Sequence, residues 1–267
     1  MNFLPEKIDH YVVKHSQQEP EILAALSKET WQKVLNPRML SGAFQGRVLS
    51  MISKLIQPKT ILEIGTFTGY ATLCFAEGLS KNGKIITIDK NEELETLQNK
   101  YFLKSGFRDQ IIQKVGNALE IIPTIDEKFD LVFIDADKVN YENYFHLIID
   151  KMNPGGIILS DNVLWSGKIV EELDPKDADT KALLKYNALL NSDHRLETVL
   201  LPIRDGLTIS RVKQNYIFLL IGPVISSIAS FTSVTFSFKL FVTSVVTVLF
   251  LALSLISFLI SLVASFI

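Results

Sequence analysis

Acidic and amide side chains follow two apolar runs of the sequence, and together they favour the binding of a hard cation. Asp135 follows one run, and Asp161 and Asn162 follow the next. If both runs are strands of an open parallel sheet, their carboxyl ends lie at one edge, where such sheets bind ligands. Two carboxylates and an amide oxygen suit Mg²⁺, which prefers six oxygen ligands and commonly retains waters. The sequence therefore predicts a divalent cation, Mg²⁺ in the first instance, at this edge.

Lys138 stands three residues after Asp135 and could face the same edge. A lysine beside a divalent cation gives up its proton more readily, and it can then act as a general base towards a nearby hydroxyl. For an isolated Asp-x-Asp-Lys run, a surface ion pair with Asp137 is the simpler interpretation. The Asp161–Asn162 pair at the next strand end favours the catalytic one.

The segment 61–70, ILEIGTFTGY, predicts a buried strand followed by a glycine turn. Gly65 and Gly69 permit backbone conformations and close approaches that a side chain would block. Asp89 ends the second apolar run, where nucleotide-binding α/β folds hold a ribose by its hydroxyls. Such a turn also occurs merely to pack a helix on a strand, so the motif alone is a weak signal.

The type of nucleotide follows from two further residues of this segment. A pyrophosphate needs the spacing G-x-G-x-x-G, and Phe67 stands where the second glycine should be. Glu63 would repel a diphosphate, but it suits the ammonium and sulfonium groups of S-adenosylmethionine (SAM). SAM is therefore favoured over a dinucleotide.

The elements that must position these residues form an alternating pattern, which predicts a parallel sheet with helices on both faces. Two amphipathic helices, at 20–35 and 42–56, precede it. The expected fold is α/β, a doubly wound, seven-stranded, mostly parallel sheet whose last strand is antiparallel, because the runs 197–203 and 207–212 are joined by an Asp-Gly turn. The other strands are expected at 60–64, 84–88, 111–115, 130–134 and 156–160, and the intervening helices at 69–80, 91–105, 117–122, 141–151 and 177–192.

Charge separates the 267 residues into two expected parts, a catalytic domain at 1–213 and an apolar tail at 214–267. Residues 1–213 carry 26 Lys and Arg against 29 Asp and Glu, a balance that argues against nucleic acid as a partner. The single cysteine, Cys74, excludes an intramolecular disulfide and suits a reducing compartment. The N-terminus does not resemble a secretory signal, so we expect the catalytic part in the cytoplasm.

The tail carries one charge, Lys239, between uncharged runs of 23 residues (216–238) and 28 residues (240–267). Each run is long enough for a helix that crosses a bilayer, which needs about 20 apolar residues. A pair of transmembrane helices that anchors the protein to a membrane is one interpretation. Translated readthrough or frameshift sequence is the other.

Several long motifs, in order, resemble the cation-dependent class I O-methyltransferases that include the catechol and caffeoyl-CoA enzymes. The resemblance covers nearly all of residues 1–213 and rests on LEIGTFTGY, TIDKNEE, FIDADKVNYENY, GGIILSDNVLWSGK and LPIRDGLTIS. It implies that the metal ligands are Asp135, Asp161 and Asn162, and that the catalytic residues are Lys138, as base, and Asp135. It implies a cofactor site formed by Leu40, Glu63, Gly65, Thr66, Ala71, Asp89, Ala118 and Asp135. Ala71 departs from the serine common in relatives, so one hydrogen bond to the methionine part of SAM is expected to be missing or to be replaced by a neighbouring backbone amide or Thr72.

The resemblance implies in-line methyl transfer from SAM to a hydroxyl of a catechol-like or caffeoyl-type molecule. Trp165 is expected either to form a wall for the aromatic ring or to pack on the N-terminal helices. Family relatives are often dimers, so a homodimer is a further expectation. Two alternatives stay open: an NAD-linked oxidoreductase, which Phe67 and the closing hairpin disfavour, and a membrane-tethered SAM-binding protein without turnover.

Overall fold

The structure of the protein, a computed structural model, describes residues 4–214, 253–257 and 259. The first range belongs to one compact unit, and the others, which are helical, belong to a second. The helices expected at 216–238 and 240–267 otherwise lie outside the described residues. No helix in the described part of the chain is long and apolar enough to cross a membrane.

Within 4–214, seven strands form one sheet in the order β3-β2-β1-β4-β5-β7-β6. All neighbouring strands pair in parallel except β7, which runs antiparallel to both β5 and β6. The predicted mostly parallel sheet with a closing antiparallel hairpin is therefore confirmed. The strands are β1 (Thr60–Ile64), β2 (Lys84–Asp89), β3 (Ile111–Val115), β4 (Phe129–Ile134), β5 (Met152–Asp161), β6 (Leu196–Leu201) and β7 (Leu207–Val212).

The helices of this unit agree with the predicted positions, apart from their ends and one addition. The helix expected at 69–80 is shorter and ends at Ala76, and Gly78 just beyond it lies directly against the backbone of the neighbouring helix at Ser53. The added helix, α1, buries none of its side chains. The helices are α1 (Glu6–Lys14), α2 (Glu21–Lys33), α3 (Ala43–Ile56), α4 (Tyr70–Ala76), α5 (Glu95–Ser105), α6 (Ala118–Ile121), α7 (Tyr141–Ile148) and α8 (Ala178–Ser192).

The sheet separates two apolar layers, because successive side chains of a strand point to opposite faces. Ile61 of β1 packs with α2 to α5, whereas Leu62 and Ile64 pack with α7 and α8. Helices thus cover both faces. The carboxyl ends of β1, β2, β4 and β5 are left at one edge, and the predicted site residues follow these ends.

Gly65 brings two of these strand ends into contact. Its φ is +100°, and a Cβ at this position would overlap the carbonyl oxygen of Asp135. The backbone on each side is fixed as well, since Gly65 N–H donates to Ile88 O at 2.9 Å and Asp135 N–H donates to Ile64 O at 2.9 Å. The cofactor loop and the first predicted cation ligand are therefore held by the same backbone contact.

We expect Gly65→Ala to destabilise the protein by roughly 3 kcal/mol or more, because backbone strain and overpacking add at this position. Gly106→Ala is the matched control. Gly106 also has a left-handed backbone, with φ +79°, but a Cβ there would meet no atom within 4 Å. It should cost only about 1–2 kcal/mol. Urea unfolding of the two variants measures both values, and equal losses would contradict the role given to the Asp135 contact.

Candidate active site

The loop after β1 is tied to the end of β2 by its backbone. Phe67 N–H donates to Asp89 Oδ2 at 2.7 Å, and the Asp89 carboxylate also accepts a hydrogen bond from Asn91 N–H at 2.9 Å. Phe67 is left-handed, with φ +48°, an uncommon conformation for a bulky residue. Asp89 thus shapes the loop and keeps lone pairs free for a ligand, as expected of an acid that grips a ribose.

Glu63 lies fully buried beneath this loop. Its carboxyl accepts hydrogen bonds from the hydroxyls of Thr72 and Thr87, both at 2.5 Å, while its Oε1 has no partner. Burial raises the pKa of Glu63 to about 8, and the negative charges of Asp135 and Asp89 act in the same direction. The carboxyl therefore takes up a proton more readily than an exposed glutamate does, and its hydrogen bonds with Thr72 and Thr87 support the loop.

The remaining predicted cofactor residues surround the loop on both sides of the sheet. Thr66 is buried, and its hydroxyl shares a hydrogen bond with Thr87. Leu40 and Ala71 belong to the apolar layer that contains α3 and α4, whereas Ala118 belongs to the opposite layer at the start of α6. The structure therefore brings Gly65, Thr66 and Asp89 together around one loop, and it places Ala118 across the sheet from Leu40 and Ala71.

Lys138 lies at the centre of the predicted cation cluster, with only 6% of its surface exposed. Its Nζ is 2.8 Å from Asn162 Oδ1, 3.3 Å from Asp135 Oδ1 and 2.6 Å from the Tyr141 hydroxyl. The structure thus brings Asp135, Lys138 and Asn162 together as predicted. The pairing of Lys138 with Asp137, the simpler interpretation of the sequence, is not what is observed, because Asp137 instead binds Asn140 and Tyr144.

Asp161 completes the cluster from the end of β5. It is buried, and its two oxygens accept hydrogen bonds from Gln45 Nε2 at 2.6 Å and from Asn162 N–H at 2.8 Å. Burial and the negative charge of Asp135 raise the pKa of Asp161 to about 7. Asn162 is left-handed, with φ +58°, a conformation that asparagine adopts more readily than most residues. Asp135 and Asn162 thus contact the Lys138 ammonium directly, and the Asp161 carboxylate lies close enough for its pKa to respond to the charges of Asp135 and Lys138.

The predicted donors are oxygens, which suit a hard cation better than a soft transition metal. Among the described residues, no group of three His, Cys, Asp or Glu side chains is arranged to hold a metal, so a cation here would rely on two carboxylates, the Asn162 amide and water. The ammonium of Lys138 already lies beside oxygens of Asp135 and Asn162, which shows that these oxygens can be directed at one cation. The mutual repulsion of the two carboxylates is a further reason for a cation, since positive charge would relieve it.

Trp165 lies close to the cluster, with Lys138 Nζ 5.8 Å from its ring centroid. It is half-buried and packs against the core that includes α7 and α8, and not against the N-terminal helices. Its φ is +46°, and the next two residues are left-handed too. The indole therefore stands at the cluster on a sharply turned segment, where it can form one wall of a substrate site.

Three residues of the site have no counterpart in the sequence-based prediction: Tyr141, Gln45 and Arg204. The Tyr141 hydroxyl accepts from Lys138 and donates to Asp161 O at 3.0 Å. Its spacing of three residues from Lys138 was a usable signal. Gln45 and Arg204 contact each other at 3.1 Å across 159 residues of sequence, and nothing local indicates such a pair.

Comparison with known proteins places this geometry in a family. Residues 13–213 match the family model described as O-methyltransferase. The chain is 37% identical to caffeoyl-CoA O-methyltransferase 1 of Eucalyptus globulus over 206 residues, which cover 72% of this chain and 82% of that protein. It is 30% identical to the catechol O-methyltransferase of Niastella koreensis, covering 79% of this chain and 99% of that one.

Solved structures give the same answer. The SAH-bound methyltransferase of Podospora anserina superposes with a TM-score of 0.72 at 29% identity, covering 80% of this chain and all of the other. The O-methyltransferase of Bacillus cereus in complex with SAH gives a TM-score of 0.72 at 26% identity, covering 78% and 97% of the two chains. Together with the family match, these likenesses decide between the functions that the sequence left open. The chain belongs to the O-methyltransferase family and is a class I, SAM-dependent O-methyltransferase.

Proposed function

We propose that this enzyme transfers a methyl group from SAM to a hydroxyl of a catechol-like or caffeoyl-type small molecule, with a divalent cation at Asp135, Asp161 and Asn162. The observation that carries the proposal is the position of Lys138, buried between Asp135 and Asn162 beside the loop of Gly65. The activity is assigned to residues 1–213.

The cofactor is assigned to the loop between β1 and α4. Backbone groups around Gly65 and Thr66 approach the methionine part, Asp89 holds the ribose hydroxyls, and Ala118 borders the adenine. Leu40 and Ala71 supply apolar surface near the methionine end. Glu63 Oε1 has no hydrogen-bond partner within the described residues, and the positive SAM ammonium would favour the ionised carboxylate and donate to this oxygen.

A bound divalent cation would supply Lewis-acid polarisation of the acceptor hydroxyl, which lowers the cost of removing its proton. Asp135, Asp161 and Asn162 would hold it. Asp161 keeps one lone pair on each oxygen after its two hydrogen bonds, so it can still bind a cation.

Lys138, in its neutral amine form, is the group placed to take the hydroxyl proton. Its Nζ is oriented by Tyr141, whose hydroxyl is in turn fixed by the carbonyl oxygen of Asp161. The aliphatic part of Lys138 is buried, so water has little access to the amine. The Trp165 ring borders the same space and would orient a planar acceptor.

The acceptor class follows from the relatives and from the cluster. The two relatives described above are named for caffeoyl-CoA and catechol, and both compounds carry adjacent ring hydroxyls. Adjacent oxygens suit a site with one cation and one base. A methylation screen over catechols, flavonoids and caffeoyl thioesters identifies the preferred acceptor, and absence of turnover with every vicinal diol in the presence of Mg²⁺ would contradict the proposal.

The first prediction from the proposed function concerns the cation. Removing divalent metal with EDTA should lower the methylation rate roughly 100-fold or more, and Mg²⁺ should restore it. Asp161→Asn should raise the Mg²⁺ concentration for half-maximal rate about tenfold or more, because a charged ligand is lost. Asp130→Asn is the matched control, since Asp130 binds the backbone at Lys59 and Thr60 at the amino end of β1. Its Mg²⁺ dependence should be that of the unaltered enzyme.

The second prediction concerns the base. Lys138→Met keeps the side-chain length and removes the amine, so kcat/KM should fall about 10²–10⁴-fold. The dissociation constant of SAM, measured by calorimetry, should change less than about threefold, because the proposed role is proton transfer. Lys185→Met is the control, since Lys185 is exposed and pairs only with Glu142 on the surface. A Lys138→Met enzyme of normal rate would exclude the assigned base.

The tail generates a third prediction. We propose that 214–267, with its single charge at Lys239, anchors the protein to a membrane. The full chain should then sediment with membranes and need detergent for release, while a chain ending at Lys213 should stay in the supernatant. If the intact mass of the native protein corresponds to a chain that ends near residue 214, the proposed anchor is excluded.

A further inference from the structure

A chain of hydrogen bonds reaches Asp161 from a distant part of the protein. Arg204, in the turn between β6 and β7, donates from Nη1 to Gln45 Oε1 at 3.1 Å. Gln45, on α3, donates from Nε2 to Asp161 Oδ2 at 2.6 Å. Gln45 and Asp161 are both almost fully buried, with 1% and 2% of their surfaces exposed. The assigned activity gives no role to Gln45 or Arg204.

The orientation of the Gln45 amide is fixed by its two neighbours. A guanidinium can only donate, so the amide atom that faces Arg204 must be the oxygen. The amide nitrogen then faces Asp161, whose carboxylate can accept. Two hydrogen bonds of fixed direction therefore connect these residues, one from Arg204 to Gln45 and one from Gln45 to Asp161.

The hydrogen bond from Gln45 helps to fix the orientation of the Asp161 carboxylate. Asn162 N–H holds Oδ1 and Gln45 holds Oδ2, so the carboxylate has little freedom to rotate. Without Gln45, Oδ2 would lose its donor in a site from which water is largely excluded. A carboxylate that can turn away would bind a cation less well.

Arg204 also holds the segment before α3. Its Nη1 also lies 3.0 Å from Leu40 O and close to Ser41 O, so the two hydrogens of this nitrogen are shared among these carbonyls and Gln45 Oε1. Leu40 is assigned to the methionine end of the cofactor. One guanidinium thus contacts the cofactor segment and, through Gln45, the carboxylate of Asp161.

We propose that Gln45 is a positioning residue for Asp161, and that Arg204 links it to the cofactor segment at Leu40 and Ser41. The inference rests on the proposed function, because it takes Asp161 as a cation ligand. It predicts separable effects. Loss of Gln45 weakens the binding of the cation alone, whereas loss of Arg204 weakens the binding of both the cation and SAM.

The test uses the full chain and Mn²⁺, whose free concentration is read by electron paramagnetic resonance without acceptor or turnover. Gln45→Met should weaken Mn²⁺ binding about 10–100-fold, the usual effect of removing a partner of a metal ligand. SAM affinity, measured by calorimetry without metal, should stay within about threefold. Arg204→Met should weaken both Mn²⁺ and SAM binding, each by roughly tenfold.

Ser53→Ala is the matched control, because it removes another buried hydrogen bond of α3, the one from Ser53 Oγ to Phe75 O at 2.7 Å. It should lower thermal stability and leave Mn²⁺ affinity unchanged. If Gln45→Met does not fold, Gln45→Asn replaces it, since the shorter amide cannot reach both partners.

The outcomes are distinct. Unchanged Mn²⁺ affinity in a folded Gln45 variant, or an equal loss in Ser53→Ala, would overturn the positioning role. Unchanged SAM affinity in Arg204→Met would overturn the link to the cofactor segment. If instead the unaltered chain binds Mn²⁺ no better than Asp161→Asn, the failure lies in the proposed cation site and not in Gln45.

Discussion

The close approach of β1 and β4 at their carboxyl ends is the constraint on which the site depends. The backbone at Gly65 passes so near the carbonyl of Asp135 that no side chain fits between them. The loop assigned to the cofactor and the carboxylate of Asp135, proposed as a cation ligand, therefore cannot be separated. Methyl transfer requires donor and acceptor in one line at short range, and effective concentration is a large part of such catalysis. A single backbone contact fixes that proximity before any ligand binds.

Local sequence patterns predicted most of the fold because they report local physics. The apolar run before Gly65 and the Asp-Gly turn before β7 specify a strand and a hairpin through burial and turn geometry. Asp135, Lys138 and Asn162 were predictable together because each follows a parallel strand, and parallel strands end at one edge. These three are indeed in contact.

The long-range contacts were not predictable in this way. Gln45 reaches Asp161 across 116 residues of sequence, and its type and neighbours on α3 resemble those of an ordinary buried helix residue. The raised pKa of Glu63 was not predictable from the sequence for a related reason. The sequence shows the acid, but its pKa rises to about 8 only because the fold buries it, with the charges of Asp135 and Asp89 acting in the same direction. Charge at a position is a property of the surroundings, which the sequence does not display locally.

The antiparallel direction of β7 makes these contacts possible. Because β7 runs against β5, Leu207 pairs with Asp161, and the turn that precedes β7 lies at the carboxyl edge of the sheet. A parallel seventh strand would begin at the opposite edge and leave this position to another segment. The turn supplies Arg204, and it also binds the segment after Asn162, since Leu164 N–H donates to Asp205 O at 2.9 Å. The hairpin therefore does more than close the sheet, because it supports the segment with Trp165 on one side and the carboxylate of Asp161 on the other.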